Sequence, residues 1–237
     1  DVLAWPDRVD AYTHNPIDCI DNHDYHPNWG AQISYSGSLI EDINNMSAAG
    51  HTYGWGWNNR YSEGHGWRTA QNNPRADLVA FGYHHPLMPL IEYRDMRLQI
   101  QMHRSILTST FGNPYSLGMF PPESAFSERM IPALVDEGIQ WIFVDNLHLD
   151  HCNKNFPWGI GEKINPPNRA DAQNPAQATY VNMSCQTNTS YNVSLPFAVQ
   201  PHYAKYVDPT TGTETKMIIV PLERTLGYDD SYGDRTP

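Results

Sequence analysis

Apolar positions along this chain fall into short continuous runs and helical stripes that alternate. Residues 31–40 read AQISYSGSLI, a β-rich run that meets Gly37 and Ser38 and passes into the helix-like SLIEDINNM. A strand, a tight turn and a helix are expected there. Residues 77–82 (DLVAFG) form a short strand of buried type that runs into Tyr83, His84, His85 and Pro86, where proline cannot continue a ladder. Residues 94–108 then space Met96, Ile100, Ile106 and Leu107 as one helical face, with Gly112 as the stop. After residues 115–120 and the turn Pro121-Pro122-Glu123-Ser124, a second helix is expected from about 127 to 137, closing on Gly138. Residues 139–144 (IQWIFV) make a continuous apolar strand, the pattern of a parallel sheet covered on both faces, and it ends on Asp145, Asn146 and His148. Residues 216–221 (KMIIVP) supply a last strand.

Two stretches break the alternation. Residues 50–73 hold Tyr53, Trp55, Trp57, Tyr61 and Trp67 among glycines, with no defensible helical or strand period. Residues 150–196 turn to Asn, Pro, Gln and Thr, the pattern of a long irregular excursion. The expected class is α/β, as one domain over residues 1–237 with an irregular excursion at about 150–196.

Composition narrows the function classes. Hydrophobic residues are 40% of the 237 and charged residues only 17%, which is too apolar for a disordered tail. Against 15 basic residues stand 26 acidic ones, and no Lys or Arg run offers a track for phosphates, so nucleic acid is not an expected partner. No run approaches the roughly 20 apolar residues that span a bilayer, and the first residues lack the basic start and apolar core of a signal peptide. A soluble protein is expected, cytoplasmic or secreted. Cys19, Cys152 and Cys185 are odd in number and widely spaced, which indicates neither a disulfide framework nor a CxxC metal site. Sequons at Asn45, Asn182, Asn188 and Asn192 matter only in a glycosylating pathway.

In alternating βα folds, catalytic groups sit at the carboxyl ends of strands. Three such ends carry polar clusters here: Tyr83-His84-His85, Glu123, and Asp145-Asn146-His148. Glu123 lies between Met119-Phe120-Pro121-Pro122 and Ser124-Ala125-Phe126, a setting that suits a positioned nucleophile or acid. It equally suits a carboxylate that complements a helix dipole. His84 and His85 read as sugar-binding donors, metal ligands or satisfied core histidines; neighbours on a strand face opposite ways, so one of the two points to a given side unless Pro86 breaks the strand. Asp145 reads as a substrate-orienting group or a turn cap. Trp55 and Trp57 fit a platform on which the apolar face of a sugar stacks, and they also fit an ordinary aromatic core.

The order of these motifs resembles glycoside hydrolase family 57. SYSGSLIEDI is similar to that family's strand-turn-helix element, LVAFGYHHPLMPLI to its next strand and ring-bearing turn, and GMFPPESAFSERMIPALVDEGIQWIFVDNLH to its nucleophile segment leading into an Asp-bearing strand. KMIIVPLERTLGY fits the following strand more loosely. The likeness runs from about residue 11 to His148. It implies an incomplete (β/α)7-type barrel with a long irregular insertion, and retaining chemistry on α-glucans, hydrolysis or transfer, with Glu123 as nucleophile and His84, His85, Asp145, His148, Trp55 and Trp57 around the sugar. In such chemistry one carboxylate attacks the anomeric carbon and a second, about 5 Å away, protonates the leaving oxygen.

The chain departs from the family in three places. The later-strand Asp that serves as acid has no counterpart, since Asp229, Asp230 and Asp234 lack the surrounding pattern; the opening His-x-Pro motif is missing, and His26-Pro27 does not replace it; and His85 stands where the family usually has Glu. A piece of a longer enzyme is expected, its barrel completed by a further segment or a partner chain, acting on a polysaccharide or oligosaccharide and needing no cofactor. Two other classes remain open. A non-catalytic carbohydrate-binding or structural subunit follows if the acid is truly lost, and a metal-dependent polysaccharide deacetylase follows from the 11 histidines and the His/Asp strand ends.

Overall fold

A computed structural model describes residues 6–50, 56–112, 115–146, 149 and 200–222. The chain divides into two units, Asp1–Trp141 with Lys205–Thr215, and Ile142–Ala204 with Lys216–Pro237. The irregular stretch expected at about 150–196 lies outside the described residues.

The first unit opens with two short helices, α1 (Pro6–Thr13) and α2 (Asn15–Asn22), whose early prolines fit a first turn where no N–H is needed. Neither is anticipated from the Asp- and Asn-rich sequence. Ile17 and Ile20 of α2 are buried, so packing rather than propensity sustains it. Strand β1 (Ala31–Ile33) follows, then α3 (Gly37–Ala48), where Ser36 caps the helix by accepting the Leu39 N–H at 3.3 Å. The aromatic-rich stretch, expected to lack regular structure, contains α4 (Asn59–Gly64) and an isolated antiparallel bridge from Arg68 to Pro74. Six residues carry too little periodicity to be read; tertiary contacts hold the turn, with Tyr61 buried and the Ser62 hydroxyl donating to the Phe111 carbonyl at 2.6 Å.

Strand β2 (Ala76–Leu78) lies parallel to β1 in the register Ala31↔Ala76 to Ile33↔Leu78. Just beyond it, Ala80 makes a parallel bridge to Met119 of β3 (Gly118–Met119): the Ala80 N–H donates to Gly118 at 2.8 Å and Ala80 accepts from Phe120 at 3.0 Å. Between β2 and β3 runs α5 (Tyr93–Phe111), longer at both ends than the sequence stripe, with Met96, Ile100, His103, Leu107 and Phe111 buried. It stops where Gly112 turns to a φ of 68°, a conformation costly for any residue with a Cβ. A 3-10 turn (Glu128–Met130) leads into α6 (Ile131–Asp136), which ends at Gly138 as the pattern predicts. Ile17, Ile20, Tyr35, Ile40, Ile43, Trp57, Tyr61, Leu78, Leu107 and Phe111 belong to one hydrophobic cluster of this unit.

At the unit boundary begins β4 (Trp141–Asp145), with Ile142 and Val144 buried. Inside the second unit its neighbour is β6 (Glu214–Leu222), where Met217 and Ile219 are buried. The strand before it, β5 (His202–Val207), alternates half-buried and exposed positions and is not anticipated from the sequence. In the turn between them Asp208 accepts the backbone N–H groups of Thr210 and Thr211, each at 2.8 Å. The architecture of the described residues is mixed α/β, and no helix among them is long and apolar enough to cross a membrane.

Candidate active site

Two sharp turns of the first unit carry the groups that meet. One follows β2 through Phe81 and Gly82 to His85; the other follows β3 through Phe120, Pro121 and Pro122 to Glu123. They sit close because Gly82 has no side chain: a Cβ there would lie 2.6 Å from Pro86 Cδ and 3.3 Å from Pro122 Cγ. Beneath them the Phe81 and Phe120 rings stack at 6.2 Å, and the His85 ring stands edge-on to Phe81 at 5.1 Å.

Non-glycine residues with positive φ are Asn72, His85, Glu123 and Ser124 among the described residues, so three of four fall on these two turns. Each costs on the order of 1–3 kcal/mol unless its surroundings fix it. Pro121 and Pro122 hold φ near the value proline requires, so the change of direction falls on Glu123, at φ 57° and ψ 23°. The Ser124 N–H to Pro121 and Ala125 N–H to Pro122 bonds, at 2.9 and 3.1 Å, close the turn.

The result is a hydrogen bond of 3.0 Å between His85 Nε2 and Glu123 Oε1. An ionised carboxylate only accepts, so Nε2 carries the proton and donates, and Oε2 is left for other work. The two side chains are 49% and 69% exposed, where such a pair adds little stability. Its effect is geometric: it fixes the direction of a carboxylate that faces solvent.

Neighbouring contacts brace the histidine turn. Gly37 lets the Tyr83 ring approach α3, since a Cβ there would lie 2.2 Å from that ring, and the Ser38 N–H donates to the Tyr83 carbonyl at 2.9 Å. The Tyr83 hydroxyl donates to Glu41 Oε2 at 2.6 Å, and this bond, with burial, pushes the phenol up to about 12. The His84 N–H donates to Gln99 Oε1 at 2.8 Å, while its ring lies edge-on to Tyr83 at 4.7 Å and is not brought to Glu123. Below, buried His103 receives the Phe81 N–H at 3.4 Å and the Tyr115 hydroxyl at 2.8 Å on Nδ1, and donates from Nε2 to the Tyr35 carbonyl at 2.8 Å. Burial holds its pKa down to about 4, so the ring stays neutral. Glu41, Gly82, Gln99 and His103 escape the sequence reading; only the Gly82-to-Pro86 turn has a local signal, and the rest depend on distant contacts.

The other candidates have different fates. Trp57, a candidate sugar platform, is a core residue: it is 2% exposed, packs edge-on against Tyr35, Tyr61 and Phe111, and donates its indole N–H to Asn44 at 3.1 Å. Neither face is open to a sugar. Asp145 is buried at the end of β4 in the second unit, beside buried Asn146. Trp55 and His148 lie outside the described residues. No group of three or more His, Cys, Asp or Glu is arranged to hold a metal ion among the described residues.

Comparison with known proteins adds a family and a fold. The family model described as glycosyl hydrolase family 57 matches residues 12–217. An α-amylase from Niallia circulans is 33% identical over 248 residues, covering 97% of this chain, and the chain spans only 18% of that relative. The 4-α-glucanotransferase of Thermococcus litoralis superposes with a TM-score of 0.55 at 14% identity, over 93% of this chain and 25% of that one, which is a likeness of fold.

Proposed function

Since the chain belongs to glycosyl hydrolase family 57, we propose that it carries the nucleophile of a retaining enzyme that hydrolyses or transfers α-glucans, within a β/α barrel of which these residues are a part. The single observation that carries this reading is the geometry at Glu123. A carboxylate stands on a left-handed turn after two prolines, open to solvent, with one oxygen held by His85 and the other unengaged by that bond. The relative named as an α-amylase and the fold shared with a glucanotransferase support the substrate class.

In this reading Glu123 attacks the anomeric carbon while an acid protonates the glycosidic oxygen, and water or a sugar hydroxyl then releases the glycosyl group. His85 keeps the attacking carboxylate aimed. His84 and Trp55 are proposed as further sugar-binding groups. Glu123→Gln should reduce turnover of soluble starch by roughly 10³-fold or more with glucan affinity retained. A 2-fluoro glycosyl fluoride that traps the intermediate should add its glycosyl mass to the peptide containing Glu123. Unchanged turnover in the variant, or label on another residue, would sink the assignment.

A further inference from the structure

We propose a second carbohydrate site, remote in sequence from Glu123, on the ring-bearing loop after α2: a surface platform for α-glucan chains formed by His23, Tyr25, His26 and Trp29. Tyr25 is 67% exposed, lies tilted against His26 at 4.2 Å and stacks on His23 at 5.9 Å; His23 in turn meets Trp29 at 5.0 Å. These interplanar angles run from 28° to 39°, so the rings form one contiguous cluster of partly tilted faces. Trp29 roots it in the hydrophobic cluster of the first unit.

The loop beneath is unusually well fixed. Buried Arg75 donates to the carbonyls of Asp24 at 3.2 Å, His26 at 2.9 Å and Trp29 at 2.9 Å, while its Nε donates to Arg68 at 2.9 Å. The Pro27 carbonyl accepts from Ala70 at 2.7 Å, and that of His23 accepts from His26 at 3.1 Å. A buried guanidinium spent on three carbonyls of one loop leaves little ordering to be done when a ligand binds, and pre-ordering of this kind strengthens weak contacts. The cluster ends on an exposed phenol at Tyr25.

The chemistry favours a sugar over other ligands. Asp24 and Asn28, which precede Tyr25 and Trp29 in the chain, are exposed and offer the hydrogen-bonding groups that sugar hydroxyls need in addition to an apolar ring face. No Lys or Arg occurs between residues 19 and 30, so phosphates find no partner on this loop. A metal requires imidazole nitrogens that converge edge-on. Here His23 and His26 lie nearly parallel, at 12° and 6.4 Å, and Nδ1 of His23 is committed to the Cys19 carbonyl at 2.7 Å.

The ligand class, α-glucan, rests on the proposed function, and the test separates the two. Adsorption to granular starch and turnover of maltotetraose, an oligosaccharide too short to need a remote platform, are measured on the same protein and on Tyr25→Ala and Tyr25→Phe. Tyr25→Ala should weaken adsorption roughly tenfold, Tyr25→Phe should retain most of it, and both should turn over maltotetraose at the parent rate with unchanged melting temperature. Starch adsorption that is unaffected by Tyr25→Ala, or that is absent in a parent protein active on maltotetraose, overturns the platform and leaves the catalytic reading intact. Tyr25-dependent adsorption in a protein inactive on α-glucans supports the platform and overturns the catalytic reading.

Discussion

His85 Nε2 donates to Glu123 Oε1 across 3.0 Å, from one left-handed turn to another. Because both groups are largely exposed, the bond is worth little to folding and acts on the direction of the carboxylate. His85→Ala should therefore lower kcat on soluble starch by roughly 10²-fold with KM changed little, while the melting temperature stays near that of the parent. His85→Gln, whose amide can still donate, should recover part of the loss. Equal activity in both variants and parent would remove His85 as a positioning residue.

Gly82 sets the distance between the two turns. Its replacement by alanine puts a methyl group 2.6 Å from Pro86 and 3.3 Å from Pro122, so one turn must move. A displacement of even about 1 Å in a catalytic group is enough for a loss of roughly 10²-fold. Gly82→Ala should accordingly reduce kcat far more than it reduces stability, as compared by steady-state kinetics and urea unfolding. A variant of full activity would show that the turns are not held by this contact.

The elements that a sequence can announce are those whose signal is local. The apolar stripe of α5 and its stop at Gly112 are legible because periodicity and a left-handed cap are properties of neighbouring residues. Helix α2 is illegible because Asp, Asn and proline favour caps and turns in isolation, and only burial of Ile17 and Ile20 against distant residues offsets this. At the candidate site, Glu123 stands out through its Pro-Pro setting, but the choice of His85 over His84 depends on a positive φ at His85 and on Gln99 binding the His84 backbone. Trp57 misleads for a related reason. A residue type that stacks on sugars is also one that fills cores, and only its burial distinguishes the two.

Trp57 carries a direct consequence. Its ring closes an aromatic group with Tyr35, Tyr61 and Phe111, so Trp57→Ala should cost roughly 3–5 kcal/mol of stability. Protein that remains folded at low temperature should bind maltooligosaccharides with parental affinity by calorimetry. Weakened sugar binding without loss of stability would restore the platform role.

Glu137 ties α5 to the end of α6. Its carboxylate accepts from Arg97 at 2.7 Å, Gln101 at 2.7 Å and Arg104 at 3.2 Å, and Arg104 also donates to its carbonyl. Burial alone would raise the carboxyl's pKa, and the bonds from Arg97, Gln101 and Arg104 outweigh it and lower it. Glu137→Ala leaves two guanidinium groups that are already more than a third exposed, so the cost should be about 1–3 kcal/mol, below that of a wholly buried pair. Chemical denaturation measures it directly, and a loss under about 0.5 kcal/mol would place the cluster among ordinary surface contacts.

His103 predicts an acid limb of stability. In the folded chain its pKa is lowered from 6.5 to about 4, chiefly by burial, with the bond to the Tyr35 carbonyl acting in the opposite sense. Between these values the unfolded chain binds a proton that the folded chain refuses, so stability is complete above about pH 6.5 and falls as the pH drops toward about 4. The shift corresponds to roughly 3 kcal/mol. Protonation would also place a donor at Nδ1, where Tyr115 and the Phe81 N–H now donate, so the strand leading to His85 is loosened along with the core. Urea midpoints measured between about pH 7 and about pH 4 should decline in the parent and decline less steeply in His103→Gln, which removes the titrating group and keeps a side-chain donor. Parallel curves for the two proteins would assign the acid limb to carboxylates instead.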